Sequence, residues 1–206
     1  MQDFRTCLVE AQRGNDDAFA RLWREYNPML LRYLNVRSGM EADDLTADAW
    51  HSAVRSLRNF EGDEPHFKAW LFTIARNRLT DWYRGSGGRT ATVDPVELAQ
   101  KPNLISLEDE AEDNSATDRA LMLIARLPPD QAEVVMLRYV NGLDIALIAH
   151  VMNRSPGAIR VLSHRGLKAL HSMLASADST PTSGPEFGEG ADRSVVSGEL
   201  EVELHA

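Results

Sequence analysis

Cysteine is almost missing from this chain: Cys7 is the single one in 206 residues. That excludes an internal disulfide and any multi-cysteine zinc site, and it fits a reducing compartment, so a cytoplasmic location is expected. Long hydrophobic runs are also missing. None approaches the roughly 20 apolar residues that cross a membrane, so no membrane insertion is expected. Met1 to Glu10 carries mixed charges and no long apolar core, unlike a secretory signal. No nucleophile motif and no phosphate-cradling glycine loop occurs. The histidines at 51, 66, 150, 164, 171 and 205 form no close pair with an acidic ligand at helical spacing. Glu61, Asp63 and Glu64 read as a solvated acidic loop in preference to a cation site. The chain is too short for a large catalytic barrel, and it fits one ordinary domain or two small ones. Catalysis therefore has no seat, and neither a metal nor a cofactor is expected.

Charge is present in quantity but unevenly spread. The formal net charge is −9. Residues 1–90 are neutral, 91–118 sum to −7, 119–175 to +4, and 176–206 to −6. A neutral and a basic segment are thus each followed by an acidic one. Residues 85–118 open with Gly85-Ser86-Gly87-Gly88 and contain Pro95 and Pro102, the composition of a flexible linker. From Ser176 the chain is rich in Ser, Gly, Pro and Glu and reads as a disordered acidic tail. The expected organisation is a domain over 1–84, a linker over 85–118, a second domain over 119–175 and a tail over 176–206.

Both structured segments are helical by period, which makes the fold class all-α, with two small helical domains. Phe19, Leu22, Trp23, Tyr26, Leu30, Leu31 and Leu34 recur at spacings of three and four, with Pro28 expected to kink or interrupt that helix. A second helix over 45–57 follows the acidic start Glu41, Asp43, Asp44, where negative charge suits a helix N-terminus. A third over 67–83 buries Phe67, Trp70, Leu71, Ile74, Ala75, Leu79 and Trp82 on one stripe. Arg78 falls within that stripe and is expected to snorkel or pair with a carboxylate. The opposite face displays Lys68, Phe72, Thr73, Arg76, Asn77, Thr80, Tyr83 and Arg84. Aromatic rings alternating with cations suit unpaired bases and phosphates; a solvated face with two stray aromatics is the plain alternative.

The basic segment is more specific. Helical runs over 119–127 and 130–140 end at Asn141-Gly142. Asp144 can cap a short helix reaching Val151, and Met152-Asn153-Arg154 forms a turn. Ser155-Pro156 supplies an N-cap followed by proline at the first helical position. The next helix has Ile159, Leu162, Gly166, Leu167, Leu170, Met173 and Leu174 inside. Two helices joined by a tight turn, the second capped and basic, make a helix-turn-helix. Its outer face carries Gly157, Arg160, Val161, His164, Arg165, Lys168 and His171, with Arg154 and Ser155 at its entrance. Arg160 suits a guanine edge and Val161 a thymine methyl, while Arg165 and Lys168 are better placed for phosphate.

These segments together resemble the sigma-70 family of bacterial RNA polymerase sigma factors, in its small extracytoplasmic-function (ECF) group. The stretches EADDLTADAWHSAVRSLRNF at 41–60 and FKAWLFTIARNRLTDWYR at 67–84 carry the first half of the resemblance. LPPDQAEVVMLRYVNGL at 127–143 and SPGAIRVLSHRGLKAL at 155–170 carry the second. The resemblance implies a sigma factor that binds core RNA polymerase through the β′ clamp and β flap, recognises minus-35 and minus-ten promoter DNA, and assists melting. It assigns polymerase binding to Asp43, Asp44, Leu45, Asp48 and Trp50. It assigns the minus-ten element to the loop Phe60, Glu61, Gly62, Asp63, Glu64, Pro65, His66 and to Trp70, Phe72, Arg76, Asn77, Asp81 and Arg84. An anti-sigma protein is a further partner that the resemblance allows.

The sequence departs from the family pattern in places. Ala47 stands where glutamine is common, Leu147 where glutamate is usual, and Val161-Leu162 where polar or basic residues are common. The capture loop is unusually acidic. Two other readings stay open on sequence alone. One is a helix-turn-helix regulator acting without polymerase, and the other a helical adaptor without DNA affinity.

Overall fold

The computed structural model describes residues 3–85 and 113–178, and among them every regular element is helical. Four helices make the first domain: α1 (Phe4–Gln12), α2 (Asp16–Ser38), α3 (Ala42–Ser56) and α4 (Glu64–Gly85). The second comprises α5 (Asp113–Ala125), α6 (Pro129–Val135), a π-helical turn over Met136–Val140, α7 (Ile145–Met152) and α8 (Pro156–Asp178). Gly85 and residues 113–118, expected within the linker, are helical. So are 176–178, expected in the tail. The rest of the linker and tail lies outside the described residues.

Local chemistry explains most of the boundaries. Asn15 caps α2 by accepting from the Ala18 amide at 2.9 Å, with Asp16 and Asp17 in the first turn. The helix then passes through Pro28 without interruption, contrary to expectation. An internal proline costs about 3 kcal/mol. Leu22 and Tyr26 before it and Leu30, Tyr33 and Leu34 after it are all buried. At about 1.5–3 kcal/mol for each large apolar side chain removed from water, this burial outweighs the break. Asp144 accepts from the Leu147 amide at 2.8 Å and Ser155 from the Ala158 amide at 3.2 Å, so both expected caps of the helix-turn-helix form. Asn153, at φ 50°, makes the turn between α7 and α8.

Close approach sets the geometry of the second domain. Gly166 of α8 lies so near α6 that a Cβ there would meet Val135 Cγ2 at 2.8 Å. Ile159 of α8 is fully buried, but Leu167 and Leu174, expected inside, are exposed.

The two domains pack on one another. Helix α4 lies against α7, and α2 against α5 and α6. A carboxylate is buried at this junction. Glu133 of α6, only 1% exposed, accepts from Tyr33 Oη at 2.8 Å, Arg37 Nη1 at 2.9 Å and Arg76 Nε at 2.9 Å. Burial opposes the charge on Arg37, but the Glu133 carboxylate and its neighbours hold its pKa above the ordinary value. The Tyr33 phenol is pushed well up by burial first and by Glu133 second, so it remains a donor. The three donors satisfy a charge that would otherwise be costly to bury.

Candidate nucleic-acid interface

The loop between α3 and α4 is tied down from a distance. Gln12 of α1 donates through Nε2 to the carbonyls of Leu57 at 3.0 Å and Phe60 at 2.8 Å. Sequence reasoning missed Gln12, since its partners lie more than forty residues away. Phe60 packs on Phe67 and Trp70, with ring centroids 5.3 and 5.1 Å away. Gly62 threads between Phe60 and His66, where a Cβ would stand 3.0 Å from each side chain. Asp63 caps α4 by accepting from the His66 amide at 3.1 Å and also pairs with the His66 imidazole. Those hydrogen bonds hold its carboxyl below the usual range. Its first role is therefore to start α4, which limits its freedom to meet a base. Glu64 pairs with Lys68 at 3.5 Å, one helical turn on. Glu61, Gly62 and His66 are exposed.

Beside this loop opens a cleft of about 470 Å³, lined by Phe60, Glu61, His66, Trp70 and Thr73 of the first domain and by Leu147 and His150 of α7. An aromatic floor with polar edges has the chemistry to hold a planar base by stacking and hydrogen bonding. In this structure α7 walls the cleft.

Helix α4 corrects the expected polar face. Phe72 is 1% exposed and meets the Tyr33 ring edge-on at 5.2 Å. It is core, because α2 covers the side of α4 on which period alone leaves Phe72 outward. Tyr83 is half-buried and donates to the Arg37 carbonyl at 2.5 Å. Burial raises its pKa. Arg76 is engaged by Glu133, whereas Asn77 and Arg84 are exposed. Arg78 faces Asp81 at 3.8 Å, the carboxylate pairing expected of it.

Helix α3 divides its expected polymerase set. Asp43, Asp44 and Asp48 are exposed. Leu45 and Trp50 are buried, and Trp50 donates from its indole to Asn27 Oδ1 at 3.0 Å while its ring meets Phe19 edge-on. These two hold α3 in the bundle and present no contact surface.

On α8, the side chains of Arg160, Val161, His164, Arg165 and Lys168 are all exposed, as are Arg154, Ser155 and Gly157 at its start. Arg154 pairs with Asp130 of α6, and Ser155 is the cap. Val161 is 49% exposed on this basic face, and Leu167, next to Lys168, is 41% exposed. An apolar group flanked by arginines, as Val161 is, suits the thymine methyl and phosphates of a major groove.

Glu133, Arg37 and Tyr33 were not singled out from the sequence. A signal was available: Glu133 is the one acid inside the otherwise apolar stretch 132–137. Among the described residues no helix is long and apolar enough to cross a membrane, and no cluster of candidate metal ligands occurs.

Comparison with known proteins agrees with this arrangement. Residues 17–89 match the family model for sigma-70 region 2, and residues 117–170 match that for sigma-70 region 4. The ECF RNA polymerase sigma factor BldN of Streptomyces coelicolor is 36% identical over 170 residues, covering 81% of this chain and 64% of BldN. The RNA polymerase sigma factor CarQ of Myxococcus xanthus is 30% identical, covering 80% of this chain and 94% of CarQ. A solved structure of CnrH in complex with the cytosolic domain of CnrY is similar, with a TM-score of 0.58 and 27% identity over 85% of this chain and 98% of that one. The two helical domains, the exposed basic face of α8 and these matches lead to one conclusion: the chain belongs to the sigma-70 family of RNA polymerase sigma factors, in the ECF group.

Proposed function

We propose that this chain binds core RNA polymerase and directs promoter-specific initiation by dividing the work between its two domains. In this reading the domain over 1–84 contacts the polymerase β′ clamp through Asp43, Asp44 and Asp48. It takes a minus-ten base into the cleft beside Phe60 and Trp70. The domain over 119–175 reads the minus-35 duplex with Arg160 and Val161 and grips phosphates with Arg165 and Lys168, while contacting the β flap. The observation that carries this is the exposed basic face of α8 behind two formed caps. Exposed acids on α3 suit a basic partner helix.

The chain works by binding and by stabilising opened DNA, with bond chemistry left to the polymerase, in the cytoplasm where core enzyme resides. CnrH was solved in complex with the cytosolic domain of CnrY, and a protein partner of this kind is proposed for this chain as well. Reconstituted transcription with core polymerase and a promoter library tests the reading. Chain-dependent start sites are expected. Failure to associate with core or to change its start sites would overturn it, and duplex binding without any polymerase effect would favour the regulator alternative.

A further inference from the structure

The charge at the domain junction is arranged unlike an ordinary structural ion pair. Tyr33 Oη and Arg76 Nε donate to one oxygen of Glu133, and Arg37 Nη1 donates to the other. All three donors belong to the first domain, while the acceptor comes from the second, 57 to 100 residues later. The socket is braced on its own side. Phe72 packs on the Tyr33 ring, and Tyr83 of α4 donates to the Arg37 carbonyl at the end of α2.

Two cations and a phenol converging on a pair of oxygens that share one negative charge form a general oxyanion site. A phosphodiester presents the same pattern, two non-bridging oxygens and one charge. Arg76 also lies on α4 within one or two helical turns of the cleft residue Thr73 and of exposed Asn77. While Glu133 fills the socket, α7 walls the cleft with Leu147 and His150. The same domain packing thus occupies the cations and places α7 as a wall of the aromatic cleft.

We propose that the socket of Tyr33, Arg37 and Arg76 is a binding site for a backbone phosphate of promoter DNA, and that Glu133 is its built-in competitor, holding the free chain closed. The inference rests on the proposed promoter contact of α4. A buried ion pair suits such a latch, because the desolvation cost of burying its charges nearly cancels their attraction. Both halves regain water on opening, which an apolar contact of equal area would oppose.

The test uses the full chain with two latch-breaking substitutions, Glu133→Gln and Arg37→Ala. Interdomain distance is read by fluorescence transfer between dyes on the two domains, and folding is checked by circular dichroism. The ligand is a labelled oligothymidylate, since phosphate contacts carry no sequence information. Both variants are expected to open the chain. If the closed form holds roughly nine-tenths of the wild type or more, Glu133→Gln tightens oligothymidylate binding about tenfold or more. Arg37→Ala opens the chain without that gain, and it lowers the salt slope of binding by about 0.7, the loss of one phosphate contact on a single strand.

Equal tightening by both variants would overturn the phosphate site, because a purely structural tie predicts the same result from either side. Opening by Glu133→Gln with unchanged affinity would overturn it too, and no change in distance would overturn the latch. Transcription with core polymerase is scored separately. Its absence from the wild type overturns the function reading, while the socket still stands or falls on oligothymidylate binding.

Discussion

Phe72 gives a test that separates packing from base stacking. On sequence spacing it lies among the cations of α4, where a ring would stack on an unpaired base, but the structure buries it edge-on against Tyr33. Phe72→Ala empties a fully enclosed site. Truncations of this kind cost about 3–5 kcal/mol. At about 4–8 °C per kcal/mol for a domain of 60–100 residues, the first domain should melt roughly 12 °C lower or more. Phe72→Leu keeps most of the volume and should cost about 1.5 kcal/mol or less. The leucine has no π-face, so the two hypotheses diverge. If the ring only packs, Phe72→Leu opens promoter DNA normally at a temperature where it is folded. Thermal unfolding by circular dichroism and permanganate footprinting with core polymerase provide both readouts. A leucine variant that melts near the wild-type temperature yet fails to open DNA would refute the packing assignment, as would an alanine variant of undiminished stability.

Three other outcomes follow from named contacts. Gly166→Ala gains about 1 kcal/mol of helix propensity, but its Cβ meets Val135 Cγ2 at 2.8 Å in a stiff, buried β-branched neighbour. Overpacking of about 1–3 kcal/mol wins, so thermal melting of the second domain should fall, and a rise would contradict the close packing of α6 on α8. Arg160→Ala should weaken minus-35 duplex binding with a base-specific penalty of about 1–3 kcal/mol, whereas Lys168→Ala should weaken all sequences alike and flatten the salt slope; equal, sequence-independent losses in a titration of promoter variants would contradict the docking. The Cys7 thiol, raised above its ordinary value chiefly by burial, donates to the Ala18 carbonyl at 3.2 Å. It therefore holds less thiolate than a free cysteine at pH 8, and a disulfide reagent should label it slowly until denaturant unfolds the first domain; fast labelling of the folded chain would count against that burial.

What the sequence determined by itself is the local part of the molecule. The caps at Asp144 and Ser155 need only a side chain and an amide three residues on, so composition and spacing were enough to locate them. The basic outer face of α8 was legible in its period, but the same period places Leu167 and Leu174 inside, where the structure exposes them. Tertiary structure decided the rest. Helical period assumes one buried face, and α4 has more than one, since α2, α3 and α7 all pack on it; this moved Phe72 into the core. Leu45 and Trp50 were likewise claimed by the bundle, leaving only the acids of α3 for a partner. Pro28 fails as a breaker because the burial of side chains on both sides of it outweighs its missing hydrogen bond. Glu133 is the clearest case. A lone acid in an apolar stretch says that a charge is to be buried, but the identity of its partners, 96 and 100 residues away for Arg37 and Tyr33, exists only once the two domains meet.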